Sequence, residues 1–231
     1  MAARPERWGE HSSRRTVEDN RRALRHVLWL GGIPCSGKSS VAHWLIERYS
    51  LQLYHYDRHE WAHIARRDPI CHPALCAYEA MSMDERWVTR PVEEMVRATT
   101  AAWLERFALV VDDLCDLPSA PPILAEGPGL LPDAVASLLS SPRQAIWLVP
   151  TDGFKRATQP TRGGAPADQT SDPLRAYENL IALDLQLARD VKAGAGELGL
   201  TVIEVDGTRS IEQVAREVAG HFGLRSPVTL G

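Results

Sequence analysis

At 231 residues, with 44% hydrophobic and 24% charged side chains, the chain suits one α/β domain with excursions and is short for two full domains. A net charge of -4 leaves no basic footprint for nucleic acid, and no run reaches the roughly 18 apolar residues of a membrane span, so a small partner is expected. Four cysteines, Cys35, Cys71, Cys76 and Cys115, suggest no disulfide framework, and residues 1 to 26 alternate Arg with Glu and Asp where a signal peptide needs apolar residues, which predicts a cytoplasmic, reducing setting.

Residues 1–25 read as a polar N-terminal extension with a short helix beginning near Thr16, and residues 26–223 as the folded domain, followed by a tail over 224–231. His26 to Leu30 is a compact apolar run ending in Gly31-Gly32, and Val41, Leu45 and Ile46 then recur at helical spacing, which predicts strand, glycine-rich loop, helix. A second strand is expected at Leu51 to Tyr56, closing on Asp57, with a polar helix from His59 to about Arg67. Pro69, Pro73 and two cysteines mark 68–90 as an excursion outside the sheet.

From Pro91 to Leu117 apolar positions step by four and three, which predicts one long helix with proline in its first turn; the rival is a strand at Phe107 to Val111. Pro122 to Gly127 supplies the next strand, then a helix near Asp133 to Leu139, a strand at Ala145 to Val149, and a loop from Arg156 to Pro173 long enough for a lid, assigned to 155–173. A helix from Leu174 to Val191, a strand at Thr201 to Val205 and an amphipathic helix from Ile211 to Phe222 complete the alternation, which predicts a parallel sheet wound on both faces, with ligands at the carboxyl ends of its strands.

The run Gly32-Ile33-Pro34-Cys35-Ser36-Gly37-Lys38-Ser39 satisfies G-x-x-x-x-G-K-[ST]. Its glycines let backbone N–H groups turn inward on phosphate oxygens, its lysine reaches the terminal phosphates, and its hydroxyl meets Mg²⁺. Positions 32 to 40, through Ser40, are therefore the expected nucleotide contact, with ATP or GTP and Mg²⁺ as cofactors, Ser39 on the metal and Lys38 on the transferred phosphoryl group.

On this loop and its setting, roughly residues 26 to 222 resemble the P-loop kinases that include adenylate kinase, shikimate kinase, gluconate kinase and chloramphenicol phosphotransferase. The resemblance implies a P-loop NTPase three-layer α/β/α fold with five parallel strands, an acceptor site over the second and third strands, and a mobile lid bearing arginines. Arg156 and Arg162 are spaced like such lid arginines, with Lys155 and Arg175 as further candidates; Thr208 and Arg209 fall where these kinases hold the adenine ring. The chain lacks the Asp-Gly-Phe-Pro-Arg segment of adenylate kinases and carries Glu126-Gly127-Pro128-Gly129 instead, which leaves the acceptor open.

Asp57, closing a strand on the loop's edge of the sheet, is the expected base for an acceptor hydroxyl; its alternative role is to cap the following helix. Glu126 either binds the acceptor, orients Mg²⁺ through water, or is a solvated strand end, and the glycine turn at Gly127 would let an acceptor approach closely. Asp112 and Asp113 become the metal-side acids if Phe107 to Val111 is a strand. Arg58 and His59 complete the expected acceptor contacts.

Three other readings compete with a hydroxyl-directed kinase. Arg58, Arg86 and Arg90 could serve a nucleotide acceptor; a regulator could hydrolyse ATP without any acceptor; and His59-Glu60-Trp61-Ala62-His63 satisfies the zinc-hydrolase pattern H-E-x-x-H, with Cys71, His72 or Cys76 as a third ligand.

Overall fold

A computed structural model of the chain describes residues 15–159 and 169–225. Five strands, β1 (Val27–Gly32), β2 (Gln52–His55), β3 (Ile123–Glu126), β4 (Ala145–Pro150) and β5 (Thr201–Val205), form one sheet in the order β2-β3-β1-β4-β5. Every neighbouring pair is parallel. β1, β3 and β4 read as nearly unbroken apolar runs because a parallel sheet covered on both sides buries both faces of its central strands.

The strand period of two sends Val27, Trp29, Ile123, Ala125, Ala145 and Trp147 to one face. There they pack under α6 (Val92–Asp116), α7 (Pro132–Ala136) and α9 (Pro173–Glu197), beside the end of α1 (Val17–Ala23). Leu30, Leu124, Ile146 and Leu148 face the other way, against α2 (Lys38–Ile46) and α10 (Ile211–Phe222). The result is a helix–sheet–helix sandwich with a core on each side. Leu24, just past α1, is fully buried in the first core, so the helical end of the polar extension belongs to the fold.

Phe107 to Val111 lies inside α6, and the rival strand is not formed. The run looked strand-like because α6 is buried on two sides. Phe107, Val110, Val111 and Leu114 face the sheet, while Ala102 and Leu109 meet Leu75 of α4 (Pro73–Ala80). The excursion over 68–90 is helical, comprising α4 and α5 (Met83–Trp87), and it packs on α6 and α9 instead of the sheet. Both carboxylate oxygens of Glu105 accept the Ala74 and Leu75 N–H groups at 3.0 and 2.7 Å, so α6 supplies the cap for α4.

The expected lid segment is helical at its start. Thr151 caps α8 (Asp152–Thr158), which follows β4 directly, so Lys155 and Arg156 stand on a helix. Residues 160–168, including Arg162, lie outside the described residues. Among the described residues no helix is long and apolar enough to cross a membrane.

Candidate functional site

β1 connects to β2 on one side of the sheet and β4 to β5 on the other, so the connections diverge between β1 and β4. A crevice at the carboxyl ends of the strands is expected at such a point. The Gly32–Ser39 loop leaves β1 there, its Ile33 N–H donating to the Leu148 carbonyl of β4 at 3.2 Å. The loop is curled: Cys35 and Gly37 both take left-handed φ values, 70° and 79°. Cys35 does so without glycine's freedom, an outlier of the sort that clusters where backbone amides are aimed at a ligand.

Gly37 is the N-cap of the nine-residue α2 and has no side chain to satisfy the helix's first amides; no acidic residue stands in that first turn. The positive end of the helix is thus left for an outside anion. Lys38 is nearly buried and lies back across the loop, its Nζ donating to the Ile33 carbonyl at 2.9 Å. The Ser36 hydroxyl is buried without a hydrogen-bond partner among the described residues.

Beneath the loop stands Glu126, which ends β3, the strand beside β1. It is 1% exposed, so it is not a solvated strand end. Its Oε1 accepts from the Ser39 hydroxyl at 3.2 Å, and His55 Nε2 stands 2.9 Å from it. Asp112 and Asp113, by contrast, sit on α6, and Asp113 is engaged by Tyr54, His63 and Arg66. Glu126 is therefore the acid at Ser39.

The cation that α8 brings to the loop is Lys155 and not Arg156. Lys155 is fully buried, ion-paired to Asp184 of α9; its Nζ also donates to Gln159 Oε1 at 2.6 Å and lies 3.5 Å from the Cys35 thiol. Arg156 is exposed in a surface groove with Glu93, Asp152 and Arg189. Arg175, in the first turn of α9, is exposed as well. Lysine scarcity was the available signal, since Lys38, Lys155 and Lys192 are the only lysines and two of them flank this loop.

At the other rim, the first residue of α10 approaches the loop, a Cβ on Gly37 falling 3.1 Å from Ile211 Cδ1. Thr208 is tied to Asp206 by its N–H and hydroxyl. Arg209 latches the turn to its own scaffold through Glu217 and the Glu204 carbonyl, so its side chain is engaged within the protein.

Past β2, Asp57 and Arg58 are exposed on a 3-10 turn (Tyr56–His59). No side chain caps α3 (Glu60–Arg66), so the helix-capping role for Asp57 is not realised. Gly127 and Gly129 do permit a close approach, but the group that approaches is Tyr56. A Cβ at either would fall 2.1 or 2.2 Å from Tyr56 atoms, so the turn is filled by the protein's own ring.

His59 stacks on Tyr54 with ring centroids 4.2 Å apart and stands 3.7 Å from Asp113, so it joins a polar network between α3 and α6. In that network His63 accepts from Arg106 Nε at its Nδ1, 3.0 Å, and donates from Nε2 to Asp113 at 2.8 Å. With both ring nitrogens engaged, one by a guanidinium, His63 has no lone pair for zinc. Burial holds His63 down to about 4; Asp113 opposes that shift and Arg106 adds to it. Burial and the Asp113 carboxylate push the Tyr54 phenol far above its ordinary range, so it stays a donor.

No family model and no curated protein matches the chain. Among solved structures, the crystal structure of TT1252 from Thermus thermophilus is similar over 87% of this chain and 98% of that one, with 17% identity and a TM-score of 0.47, a likeness that carries no functional information.

Proposed function

We propose that the chain is an ATP- or GTP-dependent phosphotransferase, a P-loop kinase that moves a terminal phosphoryl group to a small hydroxyl-bearing acceptor in a reducing, cytoplasmic setting. One observation carries the reading: a curled glycine loop spanned by Lys38 sets the hydroxyl of Ser39 against a buried carboxylate, Glu126, on the adjacent strand. A turn or a cap requires none of these groups together.

Mg²⁺ suits this donor set, since it takes one or two protein oxygens and completes its shell with water and phosphate. Ser39 would hold it, with Glu126 ordering its waters; bound there, it supplies charge neutralisation at the phosphates. Lys38 and the loop amides bind the polyphosphate, with the orphaned Ser36 hydroxyl as a further donor. Lys155 adds a second cation beneath the loop, and Asp57 accepts the acceptor's proton.

A hydroxyl acceptor is favoured over a nucleotide because two of the three arginines that would receive a phosphate are engaged elsewhere. Arg86 bonds the Glu79 carbonyl and lies over Tyr78, and Arg90 is held by Met81 and Glu94. The test is ADP or GDP release against a panel of sugar acids, polyols, nucleosides and aminated alcohols, with Lys38→Ala as control. We expect one acceptor class to raise release above water, and Lys38→Ala to lower it by roughly 10²-fold or more. Release that no acceptor raises would favour a slow nucleotide-hydrolysing regulator, and full turnover in Lys38→Ala would remove the loop from the mechanism.

A further inference from the structure

We propose that His55 is a positioning residue that presets Glu126 for a divalent cation, an inference that rests on the phosphotransferase reading of the same site. His55 and Glu126 are paired in register across β2 and β3, which puts both side chains on the α2 face of the sheet. A carboxylate oxygen accepts and cannot donate, so His55 Nε2 carries the hydrogen in the 2.9 Å contact. Oε1 thus meets the imidazole as well as the Ser39 hydroxyl, and the two together limit how the carboxylate can turn. Oε2 accepts no hydrogen bond among the described residues and is the oxygen left to order a hydrated cation at Ser39.

The other nitrogen of the ring gives the independent argument. His55 Nδ1 is buried and has no hydrogen-bond partner among the described residues. An imidazole retained for packing alone would carry that desolvation penalty for no return, and an apolar side chain of similar size would avoid it. The 2.9 Å contact with Glu126 is the return. Without it, the nearly inaccessible carboxylate keeps the Ser39 hydroxyl as its partner and is less closely held. Supporting partners of this kind typically set metal affinity by tenfold to a hundredfold.

The experiment uses the full chain with His55→Leu and His55→Gln, reading the affinity of a fluorescent ATP analogue in EDTA and across a Mg²⁺ titration, beside thermal melting. Gln carries an amide N–H near the Nε2 position, and Leu carries none. In His55→Leu the half-saturating Mg²⁺ concentration should rise by roughly tenfold or more while affinity in EDTA holds, and in His55→Gln it should return to within about threefold of wild type. Should His55→Leu not fold, His55→Asn, whose amide stops short of that position, takes its place. A Mg²⁺ dependence equal to wild type, or an equal loss of affinity with and without the ion, overturns the inference alone. Wild-type protein that binds no nucleotide overturns the phosphotransferase reading and this inference with it.

Discussion

Asp57 stands in solvent one residue beyond the fully buried Tyr56, with no helix end to satisfy. On the turn past β2, and with no side-chain partner among the described residues, this carboxylate would in the proposed phosphotransferase receive a proton from a bound alcohol, so Asp57→Asn should lower kcat by roughly 10²- to 10⁴-fold and leave nucleotide affinity unaltered. An unchanged kcat would move the base elsewhere. The sequence brought Asp57, Lys38 and Ser39 into the candidate site because each stands out locally, by a strand ending or a fixed spacing. It did not point to His55: the contact with Glu126 depends on the β2–β3 register, which brings together residues with no mark in the linear pattern. Gly127 misled for a related reason, since a glycine reports that something comes close without saying whether it is a ligand or Tyr56.

At the scale of elements, α8 and α9 are joined under the loop by a buried pair, Lys155 and Asp184. Removing one partner strands the other charge, so Asp184→Leu should lower stability by roughly 3–5 kcal/mol, whereas Lys155→Met with Asp184→Leu should recover most of it. Urea midpoints of the three proteins check this. If the double variant folds but transfers phosphoryl groups slowly, Lys155 acts on the chemistry as well as the fold; a double variant as unstable as the single one would show that packing and not charge holds the helices. α8 escaped the sequence reading because seven residues with a glycine among them span too few turns to display a period. α4 was hidden by Pro69 before it and by its own Pro73, although the first turn is where a helix accepts a proline, and α5 carried a readable start in the capping box of Ser82 and Glu85. The long elements, α6 above all, were plain because their stripes repeat over many turns.

For the molecule as a whole, the α3–α6 network gives stability a dependence on pH. Burial keeps His63 neutral down to about 4, while in the unfolded chain it titrates near 6.5. Between those values the unfolded state holds a proton that the folded state refuses, so stability is complete above about 7, falls as pH drops through that window, and is flat below it for this group. From pH 8 to 5 the loss from His63 is about 2 kcal/mol. Burial lowers His59 and His221 too, which adds in the same direction. Urea midpoints at pH 8 and 5 should therefore differ less in His63→Gln than in wild type; equal slopes would show that other groups set the acid limit. The alternation of strand and helix was enough to foresee a wound parallel sheet, yet this network was beyond reach, since it joins residues some fifty positions apart through α3 and α6.

Tyr56 has one more consequence. Its ring fills the notch cut by Gly127 and Gly129, and the guanidinium of Arg106 roofs it at 3.9 Å. The tips of β2 and β3 are thereby keyed together like a pin in a hinge barrel: neither can slide or rotate without carrying the other. In the phosphotransferase proposed above, the acids at 57 and 126 would keep one spacing for every acceptor, so a change of acceptor size would fall to the surrounding helices.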